Sequence, residues 1–338
     1  YSIFLNSGSS ANLMMVYCGI ISGRLKKGDS VIVPACGWIT SISPLIQFGL
    51  KPIMVDADPE NFGLNFEMVN KICKRKKIKG LVLVHPLGVP VNLNEIQKVK
   101  KKFNLFVMED CCASVGAKYS NKKNIGTVGD VSSFSFYFGH QLSTIEGGFV
   151  NTSNSHIYSL MLMLRSHGWT KDLTANQINK MGIKSKINSE NGDFNFVTSG
   201  FNLRSTDLQA FIGLQQLKKA DYVFNKRNIN HMYYVKNLNS NFTLQSVENC
   251  WPVSLHIGVL AKRNNHRKKV IKNLEKHKIE NRVWSHGNLG KHNFWIENYS
   301  EFHGIIANEI YHRGFILPTY PELKKKDLDF IINICNSS

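Results

Sequence analysis

The sequence predicts an α/β protein with a mostly parallel central sheet flanked by helices, followed by a smaller C-terminal α+β lobe. Three observations carry that expectation. Short β-branched runs alternate with longer stretches of helical spacing, the pattern of strands joined by crossover helices. The 338 residues, 43% of them hydrophobic, suffice to bury one large core and a smaller second one. Beyond a long helical stretch the alternation gives way to one strand and two helices. The boundary is therefore placed inside that stretch, with residues 1–225 as the large lobe and 226–338 as the small one.

In chain order, Tyr1 leads into a strand end and a glycine turn with no initiating methionine or signal-peptide pattern, so a natural N-terminal segment is expected to be missing. Helical spacing follows over 9–27. Strands are expected at 30–33, 52–56, 81–85, 105–110, 131–138 and 148–152, with helices at 65–77, 93–103 and 156–167. The stretch 170–200 is polar, rich in Asn, Ser, Lys and Gly, and long for a connection inside a compact domain. It reads equally as a substrate-side loop and as a flexible excursion. Residues 205–238 form one long helix or two, and the small lobe then shows a strand at 253–260 and helices at 264–277 and 305–314.

Composition excludes several classes. No run approaches the roughly 18 uninterrupted apolar residues of a membrane span, since the apolar stretch 13–21 stops at Ser22, Gly23 and Arg24. The net charge of +18 raises nucleic acid as a partner. Its lysine clusters at 74–77, 100–102 and 324–326 fall in different expected helices, however, which favours solvated faces and at most a field attracting an anionic substrate. The seven cysteines are scattered without a CxxC pair, which suits a reducing cytoplasm and no metal.

Three short segments carry chemistry. Asn6, Ser7, Gly8, Ser9, Ser10 and Ala11 form a strand-to-helix turn. Its free N–H groups and hydroxyls suit a phosphate, although serines also cap ordinary helices. Glu109 and Asp110 end the 105–110 strand, where side chains emerge into the ligand crevice. One of them could hold a pyridine nitrogen protonated, and either could equally cap the next helix. The third segment runs from Ser135 through Tyr137, Gly139 and His140 to Glu146, Gly147 and Gly148.

Together with the GSSAN turn, the Glu–Asp pair and "GFNLRSTDLQA" at 200–210, this segment resembles the DegT/DnrJ/EryC1/StrS family of sugar aminotransferases. The resemblance runs from residue 1 to about residue 335. It implies the type I fold of PLP-dependent transferases, with the cofactor held by the large lobe. Carried over by position, Ser9, Ser10 and Ser135 meet the cofactor phosphate, Trp38 stacks on its ring and Asp110 pairs with the pyridinium. Asn202 reaches the phosphate of the neighbouring subunit, so a homodimer with shared active sites is implied. Arg282 and Asn288 lie near a nucleotide sugar. Ala113 departs from the polar residue common there, which leaves the contact to the cofactor's phenolic oxygen in doubt.

The larger departure is His140, which aligns with the lysine that forms the internal Schiff base. An imidazole cannot form that bond but moves protons near neutral pH. A histidine-bearing subgroup of the family removes the hydroxyl at carbon 3 of nucleotide-linked 4-keto-6-deoxy sugars, and "SFYFGHQLSTIEGG", "NRVWSHGNL" and "PLGVP" look like its motifs. The resemblance thus implies a 3-dehydratase of deoxysugar synthesis for surface polysaccharide, with pyridoxal or pyridoxamine phosphate bound noncovalently. A GDP-linked sugar is favoured as substrate and glutamate as the source of the amine. An iron–sulfur cluster is not expected, because no cysteine lies between Cys112 and Cys250. An aminotransferase using a bound amine, and a noncatalytic binding partner of a true family enzyme, stand as the other readings.

Overall fold

The computed structural model describes residues 1–183, 194–248, 250–284 and 287–338. Segments such as 30–34 and 78–84 are apolar at nearly every position, which suits strands buried on both faces. They pair accordingly. β1 (Ser2–Leu5), β2 (Ser30–Pro34), β3 (Lys51–Val55), β4 (Ile78–Val84), β5 (Phe106–Asp110), β6 (Val131–Ser135) and β7 (Gly148–Asn151) form one sheet in the order β1-β7-β6-β5-β4-β2-β3. From β3 to β6 every pairing is parallel, and β7 alone runs against its neighbours β6 and β1.

Helices cover both faces. α1 (Gly8–Ile21), α2 (Ser43–Gln47), α3 (Phe66–Arg75), α4 (Leu93–Phe103), α5 (Ser155–Arg165) and α6 (Ala175–Lys180) belong to this body. Met14, Met15 and Cys18 of α1 and Leu160 and Leu164 of α5 pack on one sheet face, while Val69 of α3 and Ile96 and Val99 of α4 pack on the other. α7 (Asp207–Leu217) and α8 (Ala220–Asn237) follow. The second sheet is antiparallel and joins β8 (Phe242–Leu244), β9 (His256–Ala261), β10 (Arg282–Val283) and β11 (Gly314–Pro318) in the order β10-β11-β9-β8. Its core takes Tyr234 from α8, Val270 and Leu274 from α9 (Asn264–Lys276) and Ile331 and Ile332 from α12 (Lys325–Asn336). The short α10 (Asn293–Ile296) and α11 (Ile305–Arg313) lean back on the large core through Trp295, Ala307 and Ile310.

Several expected bounds shift. The helix expected over 9–27 ends at Ile21, where the Ser22 N–H returns to Cys18 O at 2.9 Å. The 131–138 strand stops at Ser135, since Tyr137 and Phe138 leave the sheet exposed. The strand expected from 253 begins at His256, because the N–H groups of Val253 and Leu255 bond instead to Gly88 O and Leu87 O. The stretch 205–238 is two helices, and 170–183 is not one loop: Thr174 closes a capping box on α6. Residues 184–193 of the polar stretch lie outside the described residues.

Candidate active site

Parallel strands discharge their loops on one edge. There β5 ends at Asp110, which is 5% exposed. Its Oδ2 accepts from Ser41 Oγ at 2.6 Å and Asn12 Nδ2 at 2.9 Å, and its Oδ1 from Cys112 N at 3.0 Å. Asn12 is a buried polar residue of α1, oriented by Ser133 Oγ donating to its Oδ1 at 2.6 Å. Among the described residues, the donors that meet Asp110 are all neutral. A buried carboxylate in that condition fits a positively charged N–H supplied from outside the chain.

Neighbouring strand residues face opposite sides of a sheet, so Glu109 points away from Asp110. Its fully buried carboxylate accepts from His85 Nε2, Tyr119 Oη and the N–H groups of Gly126, Val128 and Gly129. Val91 N donates to His85 Nδ1 at 3.2 Å, which leaves the ring proton on Nε2 for Glu109. Burial pushes the Glu109 carboxyl up, but the His85, Tyr119 and Gly129 donors outweigh it and hold the group at about 2. Of the Glu–Asp pair, then, Glu109 clamps the 119–129 loop and Asp110 faces the crevice. Cys111 also lies beside His85 and Glu109, yet both Glu109 oxygens are already occupied by donors, which suits a fixed anion better than a cation site.

The cap of α1 is Ser7, whose Oγ accepts from Ser10 N at 3.1 Å. Ser10 spends its own proton on Asn6 Oδ1 at 2.6 Å, while Ser9 is exposed in the first turn. The N–H groups of Gly8 and Ser9 belong to the helix start that intrahelical bonding leaves open. Gly8 is needed for close approach, since a Cβ there would stand 2.5 Å from Ser135 Cβ. Ser135, 5% exposed, therefore borders that turn.

His140 closes a tight turn by donating its N–H to Tyr137 O at 2.9 Å. Its ring lies edge-on to Tyr137 at 5.8 Å, with Nδ1 3.3 Å from Ser135 O. A carbonyl only accepts, so Nδ1 carries the proton and Nε2 is left as the basic nitrogen. Burial pulls the His140 pKa below its ordinary value and the Arg227 charge adds to that, against opposing contributions from Ser135 O and the Asp110 charge. The ring is thus kept neutral at neutral pH, with Nε2 able to accept a proton.

A sequence profile described as the DegT/DnrJ/EryC1/StrS aminotransferase family matches residues 1–336. The chain belongs to that family. The "GDP-4-keto-6-deoxy-D-mannose 3-dehydratase" of Escherichia coli O55:H7 is 34% identical over 300 residues, covering 86% of this chain and 75% of that protein. A solved structure of a mutant GDP-4-keto-6-deoxymannose-3-dehydratase with bound GDP-perosamine superposes with a TM-score of 0.90 at 29% identity, covering 99% of this chain and 88% of the other. Another structure of that dehydratase, with a trapped PLP-glutamate geminal diamine, gives the same TM-score and identity.

The other expected residues stand as follows. Trp38 is 53% exposed and starts the turn that brings Thr40 to Asn12 and Ser41 to Asp110. Asn202 is exposed and bridges to Ser166, and Leu203 next to it accepts from Asn6 N, so this segment edges the phosphate turn. Arg282 lies on β10 with its exposed guanidinium 3.3 Å from Glu280.

Asn288 lies in the loop after β10. It is fully buried, its Nδ2 donates to Phe302 O and Asn308 Oδ1, and its Oδ1 accepts from Gly290 N. Both amide protons are thus used within the protein. Asn288 also bridges Cys36, two residues before Trp38.

Sequence reasoning missed Asn12, Ser41, Ser133 and Gln141. Asn12 had a signal, an amide on the otherwise apolar inner face of α1. The others are brought in by loops whose paths no periodicity encodes.

Proposed function

We propose that this chain is a PLP/PMP-dependent 3-dehydratase that removes the carbon-3 hydroxyl of a GDP-linked 4-keto-6-deoxyhexose, with glutamate restoring the cofactor amine. The observation that carries the reading is His140: an imidazole with Nδ1 tied to Ser135 O and Nε2 free, where an aminotransferase of the family has its lysine. The names of the similar dehydratases support it, and the trapped PLP–glutamate adduct in one of them supports glutamate as donor.

The residues present fit the cofactor. Asp110 would receive the pyridinium N–H, because its buried charge meets neutral donors. The first-turn N–H groups of α1, Ser9 and Ser135 would hold the phosphate, with Ser10 contributing once its bond to Asn6 is exchanged. Trp38 would cover the ring. When bound, pyridoxamine phosphate supplies the amine that condenses with the 4-keto group and a ring that takes up electrons. His140 Nε2 moves the proton beside it and carries it toward the departing hydroxyl, which leaves as water. Without a lysine to capture the cofactor, the eliminated product is free to hydrolyse to a 3-deoxy ketosugar and ammonia. Arg282, exposed on its edge strand, is assigned to the nucleotide side.

We also infer a homodimer with shared sites, in which Asn202 serves the partner's phosphate. α7 supports it: among its described residues none is buried, and Leu208, Phe211, Leu214 and Leu217 are 60–68% exposed. Gln209 Nε2 reaches Glu146 O at 2.7 Å, so whatever covers α7 also flanks the His140 loop. The lobes are drawn at 1–225 and 226–338 with α8 as the joining helix, since its Val223 packs with Val115 and Leu142 and its Tyr234 packs with the second sheet. For location we infer the cytoplasm, where the nucleotide-sugar substrate is made. Among the described residues no helix is long and apolar enough to cross a membrane.

Product analysis tests the function. Protein, cofactor, glutamate and GDP-4-keto-6-deoxymannose should release ammonia and a 3,6-dideoxy ketosugar. A 4-amino sugar would replace the dehydratase reading with an aminotransferase, and the failure of purified protein to acquire a cofactor absorbance band would leave a noncatalytic binding partner.

A further inference from the structure

We infer that Gln141 is a positioning residue that sets where the His140 imidazole stands relative to Asp110; the inference rests on the dehydratase reading. Gln141 follows His140 directly and is 4% exposed. Its Nε2 donates to Ala113 O at 2.7 Å and to Val253 O at 2.9 Å, which uses both amide protons. Ala113 stands three residues after Asp110. One planar amide therefore joins the base's loop to the segment that carries the cofactor's anion and to a third segment from beyond α8.

Both acceptors are rigid. Ala113 lies in a turn where Ser114 N bonds to Cys111 O and Ser114 Oγ to His85 O. Val253 is fully buried and paired to Gly88, whose φ of +93° and whose space forbid a side chain: a Cβ there would come 2.2 Å from Val253 O. The next carbonyls, Ser254 O and Leu255 O, accept from Arg227 Nη1, and Thr319 Oγ1 donates to both as well. The far end of the clamp is consequently fixed on several sides.

The His140 side is not. Tyr137, Phe138 and Gly139 are exposed, and Phe138 is 68% so. An imidazole at the foot of such a turn keeps one position only if the chain after it is held. Among the described residues the buried Gln141 Oε1 has no partner, so the amide contributes there through its two donated bonds. Among the described residues the charges acting on His140 are Asp110 and Arg227, and the titratable Tyr137 ring lies edge-on to it; none of the three is altered by a change at Gln141.

The test is Gln141→Met, which keeps length and apolar bulk but deletes the donors, with Gln141→Leu as the second variant should the first accumulate poorly. Turnover of the holoenzyme should fall at least tenfold while KM for the sugar and cofactor affinity change less than threefold. The acid limb of the kcat–pH profile should move up toward the ordinary histidine value as the loosened ring meets water. Histidine NMR of the whole chain gives a readout free of catalysis: the resonance missing in His140→Asn should titrate higher in Gln141→Met than in the parent. Leu142→Val, which thins the neighbouring apolar contact, should lower the melting temperature without moving either titration. An unmoved His140 titration in both Gln141 variants, or an equal shift in Leu142→Val, overturns the inference. Absence of any 3-deoxy product from the parent protein would instead defeat the dehydratase reading, leaving the NMR comparison to judge Gln141 alone.

Discussion

His140 and His231 are both histidines held neutral, and they illustrate two uses of the same shift. At His140 burial keeps a base available, so the acid limb of turnover should lie below the ordinary histidine pKa. Replacing it with Asn should cut dehydration by about 10²–10⁴-fold, the usual worth of a general acid–base group, while a spectroscopic titration finds cofactor binding nearly unchanged. His231 is fully buried against Ser254, and desolvation lowers its pKa to about 4. Its folded pKa lies below the unfolded value, so the unfolded chain binds more protons in the window between. Stability should therefore be full above about pH 6.5 and decline as pH falls toward 4, by up to about 3 kcal/mol. Denaturant melts across that range should show the slope in the parent and a flatter line in His231→Leu.

Elements here are tied by residues remote in sequence. Asp56, just past β3, accepts from Ile306 N at 3.0 Å and Ala307 N at 2.8 Å, capping α11 from 250 residues away. An aspartate at this place adds both hydrogen bonds and a favourable charge at a helix start. Asp56→Ala should destabilise the protein by about 1–2 kcal/mol in urea unfolding, and Asp56→Asn by less, because the acceptor survives. Helix ends were the parts least readable beforehand: the starts of α3 and α4, capped by Asn65 and Asn92, fell within a residue of the expected positions, while the end of α1 missed by six. Asparagine caps are local signals. An end decided by where the chain must turn toward β2 is not.

At the scale of the whole molecule, α7 and the His140 loop present apolar side chains together: Phe138, Ile145, Leu208, Phe211 and Leu214 are each at least 60% exposed. Covering such a stripe favours association. The protein should sediment at twice its 38.3 kDa chain mass, and Leu214→Arg should halve that while circular dichroism stays unchanged. Mixing His140→Asn with Asn202→Ala chains should restore part of the activity each lacks, since a shared site lets one intact centre form per mixed dimer. Activity no greater than the sum of the two would argue against sharing.

By itself the sequence determined the alternation of strands and helices, the parallel sheet and the family, because period, turn chemistry and motif order are local properties. It also singled out His140, Asp110, Ser135 and the turn at 6–11, which lie at strand ends or in the turns that follow them. Only the tertiary structure gave Glu109 its partners, put the cap of α1 at Ser7, buried Asn288 among its own hydrogen-bond partners, and supplied Asn12, Ser41 and Gln141. Each of those outcomes depends on which distant backbone or side-chain group lies within a hydrogen bond's length, and that distance exists only after the chain has packed.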